Sequence, residues 1–376
     1  MNNLNISKSK NSKQISSNKQ YNRKKLKALD RFEKKHGKSA ETLLERADIF
    51  KELGEFRKAK NYYIKSLSCS KRLETIHKLM VCMSNLKEKH EGAKILEQNL
   101  QYFENSGAYW ALYAFYKLEI KEYQEAFGAS SLAITKFNEN FTEIWKIFSL
   151  SGLMSGQHEK SYELSKTYLD AGTENEFIVE CFINSCLQLG KFKEGLDFCY
   201  STNFSWEQHP ILLGIVANLH GHYDKSPVKQ LQFNQKACEL APDNVKLRWN
   251  LALAQLRFGK IDAGLKNYEV RFEWDEFPSP RRIFKKAKKW HPDVDPKSRI
   301  MLWFEQGIGD QLRFWSALSE FRKKYPNLIL EPSVKTEEIL QSSFPDLIVR
   351  ANNINPEDLS SFQEDFDYHL PIGSMF

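Results

Sequence analysis

Between Ala40 and Phe277 the apolar positions recur at the i, i+3, i+4 spacing of amphipathic helices, in blocks separated by short polar or glycine-containing turns. In the first blocks Leu43, Ala47 and Phe50 share one stripe, Gly54 marks a turn, and Phe56, Ala59, Tyr63 and Ser66 form a second stripe. Ala47 and Ala59 stand where two helices must approach closely, and aromatics fill the space between them. The pattern predicts a helical hairpin.

That hairpin repeats. Shifting the frame by 34 residues reaches Val81, Ala93 and Leu100; by 33 more, Trp110, Ala114, Tyr123, Ala126 and Ala133; by 35 more, Trp145, Gly156 and Ser161. Further shifts of 34, 35 and 34 reach Gly190, Phe192 and Gly195, then Ala217, Ala237 and Pro242, then Trp249, Ala252, Gly259, Ile261, Gly264 and Tyr268. A period near 34 resembles that of tetratricopeptide repeats, whose helix pairs cannot bury an apolar face alone and stack into a superhelix with a concave groove. The resemblance implies about seven units over residues 39–277 and a protein or peptide in the groove. Trp110, Trp145 and Trp249 recur at nearly one phase and are expected in the packing rather than in a ligand cage.

Charge changes the picture at the N-terminus. Of the formal +7, residues 1–38 carry +10, from twelve Lys or Arg against two acids, so the remaining chain sums to −3. Up to about Asn22 this segment is mostly Asn, Ser, Lys and Gln, too polar to offset its chain entropy, and a basic, partly disordered arm is expected. It lacks the interleaved aromatics of a nucleic-acid arm, so nucleic acid is not an expected partner. No apolar run is long enough to span a bilayer and no signal-peptide core follows the basic start, which places the expectation in the cytoplasm. Cys69, Cys82, Cys181, Cys186, Cys199 and Cys238 form no Cys-x-x-Cys pair and read as buried free thiols. His220-Gly-His222, with His209 nearby, lacks a Cys or acid at ligand spacing. No metal site is expected, and these histidines read as solvent-facing at a helix end.

After Phe277 the period breaks at Pro278-Ser-Pro280, and residues 278–297 read as a linker containing the basic stretch Arg281 to Lys289. Strands are expected at Arg299 to Phe304, Leu328 to Glu331, Leu347 to Arg350 and Tyr368 to Ile372, with helices at Asp310 to Lys324 and Thr336 to Ser343. Alternating strand and helix predicts a parallel α/β sheet over residues 298–376.

Four segments carry a second resemblance: Asn250 to Arg271, ending Tyr-Glu-Val-Arg; Trp290; Glu305-Gln-Gly-Ile-Gly-Asp310; and Phe344-Pro-Asp followed by Asp367-Tyr-His-Leu-Pro-Ile-Gly-Ser374. In this order they resemble bacterial tetratricopeptide proteins that carry a heptosyltransferase-like, glycosyltransferase family 9-like domain. That domain has two facing Rossmann-like halves of the GT-B type, the first for the acceptor and the second for a nucleotide-sugar donor. The resemblance therefore implies an all-α solenoid followed by a partial α/β Rossmann-like domain. The chain ends at Phe376 with the first half incomplete and the donor half absent, so a truncated gene product, a split gene or a degenerate relic is expected, with an uncovered edge on a four-stranded sheet.

The resemblance puts Asp310 at the position of the general base that takes the acceptor hydroxyl proton in an inverting sugar transfer. An equally open reading is that Asp310 only caps a helix. Gly307 and Gly309 are expected to turn the chain tightly and leave N–H groups facing a cleft. Gln306 could bond an acceptor hydroxyl or tie the turn, Arg313 could meet an anionic acceptor group or stand solvated, and Phe314 and Trp315 are expected to pack. Leu312 replaces the third glycine of a dinucleotide fingerprint, which disfavours nicotinamide and flavin. Two functions compete: a tetratricopeptide scaffold with a non-catalytic α/β cap, or a glycosyltransferase acting on a glycan or protein acceptor once a donor half is supplied. The first needs no bound cofactor, the second a nucleotide sugar; whether the chain is an enzyme stays open.

Overall fold

The structure is a computed structural model that describes residues 20–173, 175–274, 277, 279, 282, 284–351 and 364–376. The polar tail before residue 20 and the expected break at Pro278 and Pro280 lie outside the described residues. The chain divides into two compact units, residues 1–195 and 196–376.

Residues 20–36 form helix α1, which belongs to the stretch expected as an arm. Asn22, Leu29 and Glu33 are buried along one narrow stripe. That stripe has a single fully apolar member, which is why composition hides it. The helix is held by Arg46, whose guanidinium bonds Asp30 and Glu33 at 2.7 Å each, and by Asn22 bonding Glu52 at 2.9 Å.

Seven helical hairpins follow. They pair α2 (Ala40–Glu52) with α3 (Phe56–Cys69), α4 (Leu73–Leu86) with α5 (Lys89–Phe103), α6 (Gly107–Glu119) with α7 (Tyr123–Phe137), and α8 (Thr142–Met154) with α9 (His158–Asp170). The series continues with α10 (Glu176–Gln188) and α11 (Phe192–Ser201), α12 (Pro210–His222) and α13 (Pro227–Leu240), and α14 (Val245–Arg257) and α15 (Ile261–Tyr268). Side-chain caps start several first helices: Ser39, Ser106, Asn175 and Asn244 each accept an N–H from the first turn.

Each hairpin turns through one residue in the left-handed region: Gly54, Lys87, Lys121, Gly156, Gly190, Lys225 and Gly259. These seven positions keep the register of the array. In the second repeat the spacing is one residue shorter than the sequence frame. Val81, expected to pack, is therefore 52% exposed, while Met80 is buried and Gly92 lies so close to Tyr116 that a Cβ would come within 2.3 Å of its ring. Three turns place a lysine where a Cβ is strained by about 1–2 kcal/mol. Exposed Lys121 makes the simplest test. Lys121→Gly is expected to raise stability by roughly 0.5–1 kcal/mol after the extra freedom glycine gives the unfolded chain, seen as a small rise in melting temperature; a fall would contradict the turn geometry.

In the first unit, Trp145 is fully buried, its Nε1 donating to Asn140 Oδ1 at 2.8 Å and its ring meeting Phe148 and Tyr168. Cys181 is buried nearby and burial pushes its thiol up to about 12. All six cysteines are free, but Cys69 is exposed rather than buried.

In the second unit the last repeat and a sheet share one core. Trp249, Ala252 and Tyr268 pack with Ile300, Leu302, Phe314, Leu328, Leu330 and Leu370. The sheet has five parallel strands, not four. β1 (Lys288–Lys289), β2 (Ile300–Trp303), β3 (Leu328–Glu331), β4 (Ile348–Val349) and β5 (Tyr368–Pro371) lie in the order β1-β5-β2-β3-β4. Ile300 pairs with Leu328 on one side and Tyr368 on the other. Alternation then sends Met301, Trp303 and Ile329 to the opposite face, against Phe366 and Phe272. Both faces are covered, as an all-parallel sheet requires. β1 arises within the expected linker because the Glu364 carboxylate accepts the N–H groups of Lys285, Lys286 and Ala287 at 2.6–3.1 Å, an anchor 77–79 residues away in sequence that no local pattern reveals. Its two exposed lysines discourage further strand pairing at that edge. The single expected helix after the glycine loop is two, α16 (Ile308–Trp315) and α17 (Leu318–Lys324); α18 (Val334–Ser343) precedes β4.

Candidate functional site

Three of the segments that carried the sequence resemblance, those holding Arg271, Glu305 and Gly373–Ser374, meet at one buried ion pair. α15 runs into a 3-10 turn, Glu269–Glu273, which turns Arg271 into the core. β2 ends two residues before Glu305. Arg271 Nε and Nη2 meet Glu305 Oε2 and Oε1 at 2.7 and 2.8 Å, and both side chains are wholly buried. The guanidinium lies 4.5 Å from the Tyr268 ring centre and 4.3 Å from that of Phe272. It also donates to the Tyr268 carbonyl, Glu269 and the Ser374 hydroxyl, at 3.0, 3.0 and 2.7 Å. Gly373 N–H donates to Glu305 at 2.7 Å, and a Cβ there would come within 2.4 Å of the same oxygen. Burial alone would lower Arg271, but its bonds to Glu305 and the charges of Glu305 and Glu269 hold it above the ordinary arginine value. Burial would raise Glu269; the charge of Arg271 and bonds from Ser374 and Lys289 hold it below the usual carboxylate range.

The loop beyond Glu305 turns differently from expectation. Neither Gly307 nor Gly309 has a positive φ; the left-handed residue is Gln306, at +63°. Its conformation is tied down by its N–H to Ser279 Oγ at 2.5 Å and its side-chain amide to Tyr268 Oη at 2.6 Å. Gln306 therefore ties the turn. Gly307 is the N-cap of α16 and Gly309 is exposed in its first turn, where a Cβ would meet nothing within 4 Å. Asp310 is half-buried in that turn, one of its oxygens 3.6 Å from where a Cβ on Gly307 would stand. Arg313 is exposed, and among the described residues it makes no ion pair. Phe314 and Trp315 are buried in the core. Gln311, unremarked in the sequence, braces the loop by donating to the Gln306 carbonyl at 3.2 Å and accepting from Thr336 at 3.0 Å.

His220 departs from expectation. It is buried, with Nδ1 2.9 Å from Asp224 Oδ2, Nε2 2.8 Å from Tyr200 Oη, and its ring stacked on Phe233. Satisfied nitrogens explain why this histidine can leave water. His222 is exposed.

A different surface appears on the first helices of the first unit. Val81, Phe115 and Leu150 each stand six residues before the left-handed turn residue of three consecutive repeats, and they are 52%, 39% and 41% exposed. Met154 adds a further exposed apolar side chain one turn along α8. α6 packs directly on α8, so Phe115, Leu150 and Met154 lie on neighbouring helices. Scattered apolar residues on a surface need no explanation, but a recurrence at one repeat position does.

No family model matches the sequence, and no curated protein matches it. Among solved structures, the chain is similar to the APC/C hetero-tetramer Cut9-Hcn1, with 18% identity and a TM-score of 0.40, over 60% of this chain and 44% of that one. It is also similar to a tetratricopeptide repeat protein from Parabacteroides merdae ATCC 43184, with 12% identity and a TM-score of 0.37, over 61% and 90% of the chains. A third is YrrB, a TPR protein described as having an unusual peptide-binding site, with 14% identity and a TM-score of 0.38, over 62% and 98%. The seven hairpins, with their turn residues 33–35 positions apart, make this chain a repeat array of tetratricopeptide period. Among the described residues no helix is long and apolar enough to cross a membrane.

Proposed function

We propose that the chain is a protein-interaction scaffold, with the first-helix stripe of the first unit as its docking face. The observation that carries this reading is the shared repeat position of exposed Val81, Phe115 and Leu150. A folded repeat normally buries such side chains, and leaving three in a row in water has a cost that a partner would recover. Under this reading the Arg271–Glu305 cluster is structural, fastening the last repeat to the sheet.

The second reading is sugar transfer from a nucleotide-sugar donor to a glycan or protein acceptor, with Asp310 as general base. It is favoured by the position of the Glu305–Asp310 loop beyond the carboxyl end of β2, where α/β sheets commonly bind ligands. Gln306, already bonded to Tyr268 and Ser279, would then shape the loop, and Gly307, Gly309 and Arg313 would border the acceptor.

The test is partner capture by the full chain, compared with Phe115→Asp and Asp310→Ala variants. The scaffold reading expects Phe115→Asp to lose a stoichiometric partner that Asp310→Ala retains. Turnover of a nucleotide sugar that Asp310→Ala abolishes would establish the second reading instead.

A further inference from the structure

Helix α1 presents water with a surface of one sign. Between Arg23 and Lys35 it carries seven Lys or Arg, all exposed, and two acids, Asp30 and Glu33. Both acids are bonded to Arg46 of α2. Among the described residues none of the seven bases makes an ion pair. In sequence, residues 1–19 add four lysines and no acid.

Apolar groups are set into this basic surface in a pattern. Tyr21, Ala28 and Phe32 stand at i, i+7 and i+11, one stripe along the helix, and the two rings are 59% and 51% exposed. Lys24, Arg31 and Lys35 follow the same spacing along one side of the stripe. On the other side Lys25 reaches over the Tyr21 ring, 5.0 Å from its centre, and His36 lies 4.7 Å from the Phe32 ring. The stripe also borders an open groove of about 570 Å³ against α2, whose lining includes Glu41 and Glu45. Glu41 is bonded to Arg72, which leaves Glu45 against the seven bases of α1.

Aromatic rings between rows of bases match the surface of an anionic bilayer. Rings enter the headgroup layer while long basic side chains lay their stems beside them and keep their charges at lipid anions. A single nucleic-acid strand fits less well. At 1.5 Å per residue Tyr21 and Phe32 stand about 16 Å apart along the helix, too far for successive bases to stack on them. Asn22, an amide that could read a base edge, is buried and bonded to Glu52. We propose that α1 lies along an anionic lipid surface, with Tyr21 and Phe32 in the headgroup layer and Lys24, Lys25, Arg31 and Lys35 against lipid anions. The contact is peripheral, made by one side of a helix whose buried side holds the repeat array.

The experiment floats the full chain with vesicles of phosphatidylcholine alone and of phosphatidylcholine with roughly one-third phosphatidylserine. Binding is expected to the anionic vesicles only, and to weaken as salt is raised. Combining Lys24→Glu, Lys25→Glu, Arg31→Glu and Lys35→Glu is expected to weaken it at least about a hundredfold, from about fivefold or more per base. Combining Lys94→Glu, Lys136→Glu, Lys146→Glu and Lys160→Glu makes the same change in net charge at exposed lysines elsewhere in the first unit. That variant is expected to lose less than about fivefold, since screening confines attraction to bases near the lipid. Tyr21→Ser with Phe32→Ser is expected to lose about tenfold. All three variants leave Asn22, Leu29 and Glu33, which seat α1, in place, and far-UV circular dichroism checks that they fold.

Binding that survives reversal of the α1 bases, or falls equally in the two reversal variants, would overturn α1 as the site. Unchanged binding in Tyr21→Ser with Phe32→Ser would overturn the seating of the rings. Failure to bind the anionic vesicles would overturn the lipid partner, and capture of a fluorescent oligothymidylate in its place, lost on reversal of the same bases, would assign the surface to nucleic acid.

Discussion

Arg271→Met lowers the stability of the unit formed by residues 196–376 by about 3–5 kcal/mol, the cost of leaving a buried charge without its partner. Glu305 would keep the Gly373 N–H but lose both bonds from the guanidinium, in a position fully shielded from water. Tyr268 and Phe272 would also lose the cation that lies over each of their rings, and Ser374 its donor. The double variant Arg271→Met/Glu305→Met is expected to recover a good part of the loss, because removing both charges removes the desolvation cost as well. Urea denaturation of the four proteins, followed by near-ultraviolet circular dichroism, gives the coupling energy directly. A single-variant loss below about 1 kcal/mol would show that the cluster is not the fastening.

Trp145→Ala acts on the other unit and is of similar size, about 3–5 kcal/mol. The indole is fully buried among Ile144, Phe148, Ile178 and residues of α7, and its N–H bond to Asn140 goes with it. Stacked repeats bury their faces against neighbours, so the cavity weakens α6 and α10 as well as its own hairpin. Hydrogen exchange should show the loss of protection spreading across these helices, while the sheet of the second unit keeps its own. Loss of protection limited to α8 would contradict the shared core.

What the sequence reveals follows the range of the interaction. Hairpins are legible because a helix stripe is written within a dozen residues and then repeated; Gly54, Gly156, Gly190 and Gly259 announce their turns. Lys87, Lys121 and Lys225 do not, since nothing in a lysine marks a left-handed backbone. Val81 was misplaced for the same reason: an apolar residue near the expected phase looks like core until the one-residue shift puts it in water. Four of the five strands and α18 are also within reach of pattern. Beyond it were β1, held by Glu364, and the Arg271–Glu305 pair, whose partners are separated by 34 residues and two elements. A clue to that pair existed in Glu305 itself, a carboxylate immediately after an apolar strand and before a sharp turn. His220 misled because a polar side chain near a helix end usually faces solvent, and its partners Tyr200 and Asp224 lie on either side in the chain. Asp310 stands where the motif suggested, in the first turn of α16, and its chemistry depends on what would bind there.

The most direct measurement is amide hydrogen exchange of the full chain with and without the stoichiometric partner that the capture experiment isolates. A docking face on the first helices predicts slowed exchange in α4, α6 and α8, centred on Val81, Phe115 and Leu150, with residues 305–313 unchanged. Slowed exchange confined to residues 305–313, with α4, α6 and α8 unaltered, would contradict the account and move the functional site to the glycine loop.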